Sequence, residues 1–193
     1  MRKQLFGLTL KELKVVSQSL GLPSFTGGQL AEWLYKKEVS SFGEMTNLSL
    51  KARALLSENY DPGIIPPIDV QESVDGTRKY LFPALEGKYI ETAYIPDGKR
   101  STVCVSSQVG CKMGCLFCMT GKQGFQGNLS SGEILNQYRS IPEWRNITNL
   151  VYMGMGEPLD NLEEVLRSLE VLTSDWGFGL SPRRITVSTI GIT

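Results

Sequence analysis

The sequence predicts an α/β protein, with an N-terminal helical module followed by strand–loop–helix units that build part of a parallel (βα) barrel. Three observations carry this expectation. Residues 1–60 show helical periodicity punctuated by capping residues. Residues 61–100 break into short β-like runs at Asp75-Gly76, Glu86-Gly87 and Asp97-Gly98. From residue 101 onward, "TVCVSS", "ITNLVYM" and "RITVST" read as strands and alternate with helical stretches. The expected organisation is a helical accessory module over 1–60, a linker and β-meander over 61–100, and the N-terminal part of a barrel over 101–193.

Thr9 and Glu12 form a capping-box pair that opens "LKELKVVSQSL", and Gly21-Leu22-Pro23 ends that helix. Thr26 and Gln29 repeat the device before "LAEWLYKK", and Ser49 caps "LKARALLSENY". Lys11, Lys14, Lys36, Lys37, Lys51 and Arg53 lie on these helices, either as solvated faces or as phosphate contacts of an RNA-binding module. "DPGIIPP" (61–67) is a turn-rich linker into the meander. A strand over 102–106 then leads into a cysteine-rich loop. Ser130 and Glu133 box the next helix, a strand covers 147–153, and a helix starts at Asp160 with Glu163 as box partner. Leu162, Val165, Leu166, Leu169 and Leu172 make the core-facing stripe of that helix. Such a stripe needs a sheet beneath it, which the third strand, 184–189, helps to complete.

Composition narrows the chemistry. Lys plus Arg equals Asp plus Glu at 20 each among 193 residues, so no global basic field advertises a nucleic-acid partner, and any RNA contact is local. The apolar runs are too short to span a bilayer, and "MRKQLFGLTL" lacks a secretory core and cleavage site, which predicts a cytoplasmic protein with no membrane partner. Histidine is absent, and with it every mechanism that uses an imidazole base or ligand. The four cysteines, Cys104, Cys111, Cys115 and Cys118, fall within fifteen residues. Clustered thiols in a reducing compartment point to metal or redox chemistry.

Cys111, Cys115 and Cys118 are spaced by three residues and then two in "VSSQVGCKMGCLFC". Three thiolates can hold three corners of a 4Fe-4S cluster and leave the fourth iron open. S-adenosylmethionine can chelate that iron and be cleaved by one electron to a 5′-deoxyadenosyl radical. A closed zinc site wants four ligands. Cys104 could supply the fourth, although its place six residues earlier on an extended segment matches paired zinc knuckles poorly. Strand alternation sets Thr102, Cys104 and Ser106 on one face and Val103 and Val105 on the other. On local sequence alone Cys104 also reads as a small buried hydrophobe, Glu157 in "GMGEP" as a solvated turn residue, and Glu91 in "YIETAYIP" as an exposed strand residue.

"VCVSSQVGCKMGCLFCMTGKQGF", "YMGMGEPLDN" and "ITVSTIG" resemble the radical-SAM RNA adenine-C2 methyltransferases of the RlmN/Cfr type, over nearly the whole chain. The resemblance implies an incomplete radical-SAM (βα) barrel in which Cys111, Cys115 and Cys118 ligate the cluster. It further implies that Gly156, Glu157 and Ser188 bind S-adenosylmethionine, that Cys104 resolves an RNA–protein adduct by forming a disulfide, and that Glu91 takes the C2 proton. The implied substrates are 23S rRNA and tRNA, the implied electron donor is a flavodoxin-type protein, and the implied state is a monomer. Two positions depart from the pattern: Gly127 stands where an Arg usually precedes Asn-Leu, and "STIG" replaces "STSG". The family's methyl-carrying cysteine lies late in the chain, and no thiol follows Cys118 here. The expectation is a truncated form that does not complete methyl transfer alone; the alternative is a catalytically dead RNA- or metal-binding fragment.

Overall fold

In the computed structural model, which describes residues 2–85 and 87–192, the chain divides into two compact units. The first comprises residues up to 64 together with Arg167–Leu180. It contains β1 (Lys3–Gln4), α1 (Leu10–Ser19), α2 (Thr26–Ala31), α3 (Leu50–Asn59) and β2 (Tyr60–Asp61). The Thr9–Glu12 capping box opens α1, and Ser49 caps α3 by accepting from the Ala52 N–H. Thr26 is not a cap: it is the first residue of α2, and Phe25 before it offers no side-chain acceptor. The helix continues as a π-helical turn over Glu32–Lys36. A short parallel pairing of β1 with β2, which periodicity did not suggest, brings the ends of this segment together. Leu13, Leu30, Leu34 and Leu56 fill the core around Tyr35, whose ring meets Phe6, Trp176 and Phe178. Its buried hydroxyl donates to the Leu8 carbonyl at 2.5 Å.

The second unit holds residues 65–166 and 181–192 of the described chain. Its centre is a six-stranded sheet of β3 (Asp69–Glu72), β4 (Arg78–Ala84), β5 (Lys88–Asp97), β6 (Arg100–Val105), β9 (Asn149–Tyr152) and β10 (Ile185–Val187). Two further short strands, β7 (Gln108–Val109) and β8 (Gly127–Asn128), pair separately. The large sheet runs β10-β9-β6-β5-β4-β3, parallel across the first three and antiparallel across the rest. Meander and barrel strands therefore share one sheet, with β6 as the joint. Cys104 pairs with Ala93 on one side and Val151 on the other.

One face of the sheet is apolar and covered. Tyr80, Phe82, Ile90, Val103, Val105, Leu150 and Tyr152 alternate onto it, and α5 (Ser131–Arg139) supplies Ile134 and Leu135. Gln137 of α5 serves the buried polar groups there, accepting from the Thr92 hydroxyl at 2.8 Å and the Ser106 N–H at 2.7 Å. The opposite face, carrying Lys79, Glu91, Ala93, Thr102, Cys104 and Val151, is partly or fully exposed.

α5 opens with the Ser130–Glu133 capping box. α6 (Leu162–Thr173) does not start at Asp160 with Glu163 as box partner. A 3-10 turn over Pro158–Asn161 precedes it, and Glu157 caps that turn by accepting from the Leu159 N–H. The buried stripe is rotated from the expected one: Val165, Ser168, Val171 and Leu172 are buried, whereas Leu162 and Leu166 are exposed. The extra turn before the helix changes its phase relative to the core. Among the described residues no helix is long and apolar enough to cross a membrane.

Candidate functional site

Cys104 reaches the open face because β6 alternates between two buried valines and two half-buried polar residues. Burial raises its thiol above the ordinary cysteine range, partly offset by a backbone hydrogen bond at Met153. Glu91 lies on the same face, two residues along β5 from Cys104's partner Ala93 and so on its diagonal. It is exposed and pairs with Lys79 Nζ at 3.0 Å. Glu91 and Cys104, the two residues the resemblance implies are catalytic, are thus brought to one surface.

The segment after β6 forms the cysteine loop. β7 and β8 pair antiparallel and close its base, with Gln108 opposite Asn128 and Val109 opposite Gly127. The Gln126 N–H adds a bond to the Val109 carbonyl at 2.8 Å. Gly110 has φ +72°, and a Cβ there would lie 1.7 Å from the Gly124 carbonyl oxygen, so only glycine lets the two sides of the loop meet.

Cys111, Cys115 and Cys118 are free and partly exposed. Met113 N–H approaches Cys111 Sγ at 3.5 Å. Cys118 precedes α4 (Met119–Lys122), where hydrogen bonds from the backbone of Gly121, then from the backbone and hydroxyl of Thr120, hold its thiol below the usual range. Phe117, the aromatic residue before Cys118, is 92% exposed, so it packs on nothing in the loop.

Among the described residues no three cysteine or carboxylate side chains are gathered closely enough to hold a metal ion. The donor set nevertheless fits an iron–sulfur cluster in kind. It offers three thiols on one glycine-bearing loop, with solvent access and N–H groups directed at two of the sulfurs, features that favour thiolate and tune such clusters.

The turn after β9 carries Gly156 and Glu157. Glu157 is buried, and its carboxylate accepts from the Leu159 N–H at 3.1 Å, the Ile190 N–H at 3.1 Å and the Thr189 hydroxyl. It therefore ties its own turn to the segment after β10. Ser188 is exposed and donates its N–H to the Tyr152 carbonyl at 3.3 Å. The loops following the three parallel strands are joined further: Ser107 N–H reaches the Met155 carbonyl at 2.8 Å, and the Glu157 N–H reaches Gln108.

Several residues at this end escaped sequence reasoning. Gln108 is fully buried between Glu157, Asn128 and Asp160. Lys112 pairs with Asp160 at 2.9 Å and lies over the Phe125 ring. Lys112 and then Gln108 hold the Asp160 carboxyl below the usual carboxylate range. The one available signal is a polar glutamine between the serines and the valine that lead into Cys111.

Parallel strands whose C-terminal ends carry a three-cysteine loop and a glycine–glutamate turn define a radical-SAM domain, and residues 105–193 match the Radical SAM superfamily. Residues 3–61 match the ribosomal RNA large subunit methyltransferase N-terminal domain. The two matched segments together resemble radical-SAM methyltransferases of the RlmN type. It is 62% identical over 187 residues to the probable dual-specificity RNA methyltransferase RlmN of Porphyromonas gingivalis W83, covering 97% of this chain and 55% of that protein. Identity to the protein of the same name from Parabacteroides distasonis is 54%, over 100% of this chain and 56% of the relative. The crystal structure of a radical SAM methyltransferase from Sphaerobacter thermophilus superposes with a TM-score of 0.89 at 37% identity, over 98% of this chain and 57% of that one. The chain thus spans about half the length of the relatives it matches.

Proposed function

We propose that this chain carries the cofactor site of a radical-SAM enzyme that methylates C2 of adenine in RNA, with 23S rRNA and tRNA as substrates. The observation that carries this reading is the convergence, at one end of three parallel strands, of Cys104, the cysteine loop and the Gly156–Glu157 turn. Cys111, Cys115 and Cys118 would hold a 4Fe-4S cluster, and Gly156, Glu157 and Ser188 would receive S-adenosylmethionine. Together those groups supply the one-electron chemistry that an electron-poor carbon between two ring nitrogens demands and no side chain offers.

The protein's own residues bind, orient and move protons. Glu157 spends its carboxylate on three protein donors, which fixes the turn and presents the Gly156 backbone for close approach. Cys104 keeps its proton at neutral pH because its thiol is raised, so it acts as a nucleophile only after losing that proton to a base. Glu91 is a carboxylate on the same face that can accept the C2 proton of an adenine adduct lying there, and it pairs with Lys79. The setting we infer is cytoplasmic, with a monomeric protein served by a flavodoxin-type electron donor.

The test is anaerobic reconstitution with iron and sulfide, followed by EPR of the reduced protein titrated with S-adenosylmethionine and mass spectrometry for 5′-deoxyadenosine. Wild type should show a spectrum that changes with the titrant and should release the nucleoside, and Cys115→Ala should do neither. A fully loaded protein whose spectrum ignores S-adenosylmethionine would overturn the reading. An RNA hairpin with an unpaired adenine should bind and weaken with salt; no retention even at low salt would remove RNA from it.

A further inference from the structure

We infer that Gln108 is a positioning residue of the S-adenosylmethionine site, setting the distance between the cysteine loop and the Gly156–Glu157 turn through a Gln108–Asp160–Lys112 chain. The inference rests on the function proposed above.

Gln108 is 0% exposed, and every polar atom of its amide is engaged. Oε1 accepts from the Glu157 N–H at 2.9 Å. Nε2 donates to Asn128 Oδ1 at 2.8 Å and Asp160 Oδ2 at 2.7 Å. The orientation of the amide is set by chemistry, because a backbone N–H can only donate and a carboxylate only accepts. One side chain therefore touches the return strand of the cysteine loop, the glycine–glutamate turn and the turn before α6.

Two further features make the linkage tight. Gly156 has φ +95°, and a Cβ on it would lie 2.5 Å from Gln108 Cβ, so the turn sits directly on the glutamine. Asp160 also holds Lys112 Nζ at 2.9 Å, and Lys112 follows Cys111 immediately. The chain of contacts thus begins three residues before the first cluster cysteine and returns one residue after it. Neither Gln108 nor Asp160 is placed among the groups that touch cofactor or substrate. Their effect acts through where Cys111 and Gly156 stand relative to each other.

The experiment uses the full chain, reconstituted with iron and sulfide, and S-adenosylmethionine as the probe, read by calorimetry and by the change in the EPR spectrum. Gln108→Leu should keep its iron content and melt at a lower temperature, because it leaves the buried Glu157 N–H unpaired, while its dissociation constant for S-adenosylmethionine rises by about tenfold or more, the scale on which outer-shell partners act. Asp160→Ala, at a partly exposed position that tolerates truncation, should weaken binding in the same direction. The double substitution Gln108→Glu with Asp160→Asn reverses donor and acceptor across the same pair and, with the Asn128 amide turned to donate its N–H, should recover much of the loss.

Gln108→Leu that binds within about twofold of wild type overturns the inference. If that variant fails to fold, Asp160→Ala decides, and unchanged binding there overturns it equally. A wild-type protein that loads iron but ignores S-adenosylmethionine overturns the proposed function, and this inference with it. A responsive wild type beside an equally responsive variant overturns only the role of Gln108.

Discussion

Gly110→Ala is the sharpest perturbation of the cysteine loop. The backbone at Gly110 is left-handed, with φ +72°, which costs an alanine about 1–2 kcal/mol. The new Cβ would also stand 1.7 Å from the Gly124 carbonyl oxygen, where ordinary contact begins at 3.4 Å. A backbone peptide must then retreat by well over an ångström, an overpacking that costs about 1–3 kcal/mol. The sum is about 2–5 kcal/mol, capped by the free energy needed to open the β7–β8 pair, because an opened loop escapes the clash.

Gly114→Ala is the control, since Gly114 has φ +61° but nothing within 4 Å of its Cβ position. It should cost only the conformational part, about 1–2 kcal/mol. Native-state hydrogen exchange at the Gln126 and Leu129 amides, which bond to Val109 and Ser107, reads the opening directly. Exchange should accelerate by about thirtyfold or more in Gly110→Ala and by roughly five- to thirtyfold in Gly114→Ala, at tenfold per 1.4 kcal/mol. Equal acceleration in the two variants would refute the argument that the Gly110–Gly124 approach closes the loop.

Two further expectations concern the frame that holds the loop. Ile134, fully buried on α5 against the sheet, should cost about 2–5 kcal/mol on substitution by alanine, measured by urea unfolding, and a loss under about 1 kcal/mol would mean the helix does not anchor that face. Tyr80 is pushed from 10.0 up to about 12, first by burial and then by Glu143, whose carboxylate accepts its hydroxyl at 2.8 Å. The folded state keeps this proton more tightly than the unfolded chain, so the stabilisation is complete below about pH 10 and is lost as pH climbs toward 12. Glu143→Gln should move the alkaline unfolding transition to lower pH and shift the ultraviolet titration of Tyr80 downward, whereas an unmoved titration would assign the whole effect to desolvation.

Local devices were the legible part of this protein. Capping boxes at Thr9–Glu12 and Ser130–Glu133 involve residues three apart, and both form as the pattern requires. Alternation in "TVCVSS" likewise predicted the two faces of β6, because a strand's period is local and its valines had only one apolar side to find. Where a distant partner competes for a side chain, the same reasoning fails. Asp160 looks like a helix cap, yet Gln108, 52 residues away, and Lys112 claim its carboxylate, and Glu157 takes over the capping. The phase of α6 shifts with that exchange, which is why Leu162 and Leu166 end outside the stripe their spacing suggests.

The candidate site divides along the same line. Cys111, Cys115 and Cys118 could be singled out from spacing, since three thiols on one short loop are visible in local sequence. The residues that orient the loop could not, because they are joined by contacts rather than by spacing. Gln108 is an unremarkable glutamine until Glu157, 49 residues later, donates its backbone N–H to it. Glu157 reads as a solvated turn residue on local sequence and as a ligand contact by resemblance, and the fold gives its carboxylate three protein donors that neither reading showed. A buried carboxylate with that many partners is costly to pull free, so it serves best as a fixed post. The three sulfurs of the cysteine loop are not gathered closely enough to hold a metal ion, so a cluster would have to draw them together. Gln108 stands where the post meets the loop, and that is why the separation between them is set by a residue that does no chemistry.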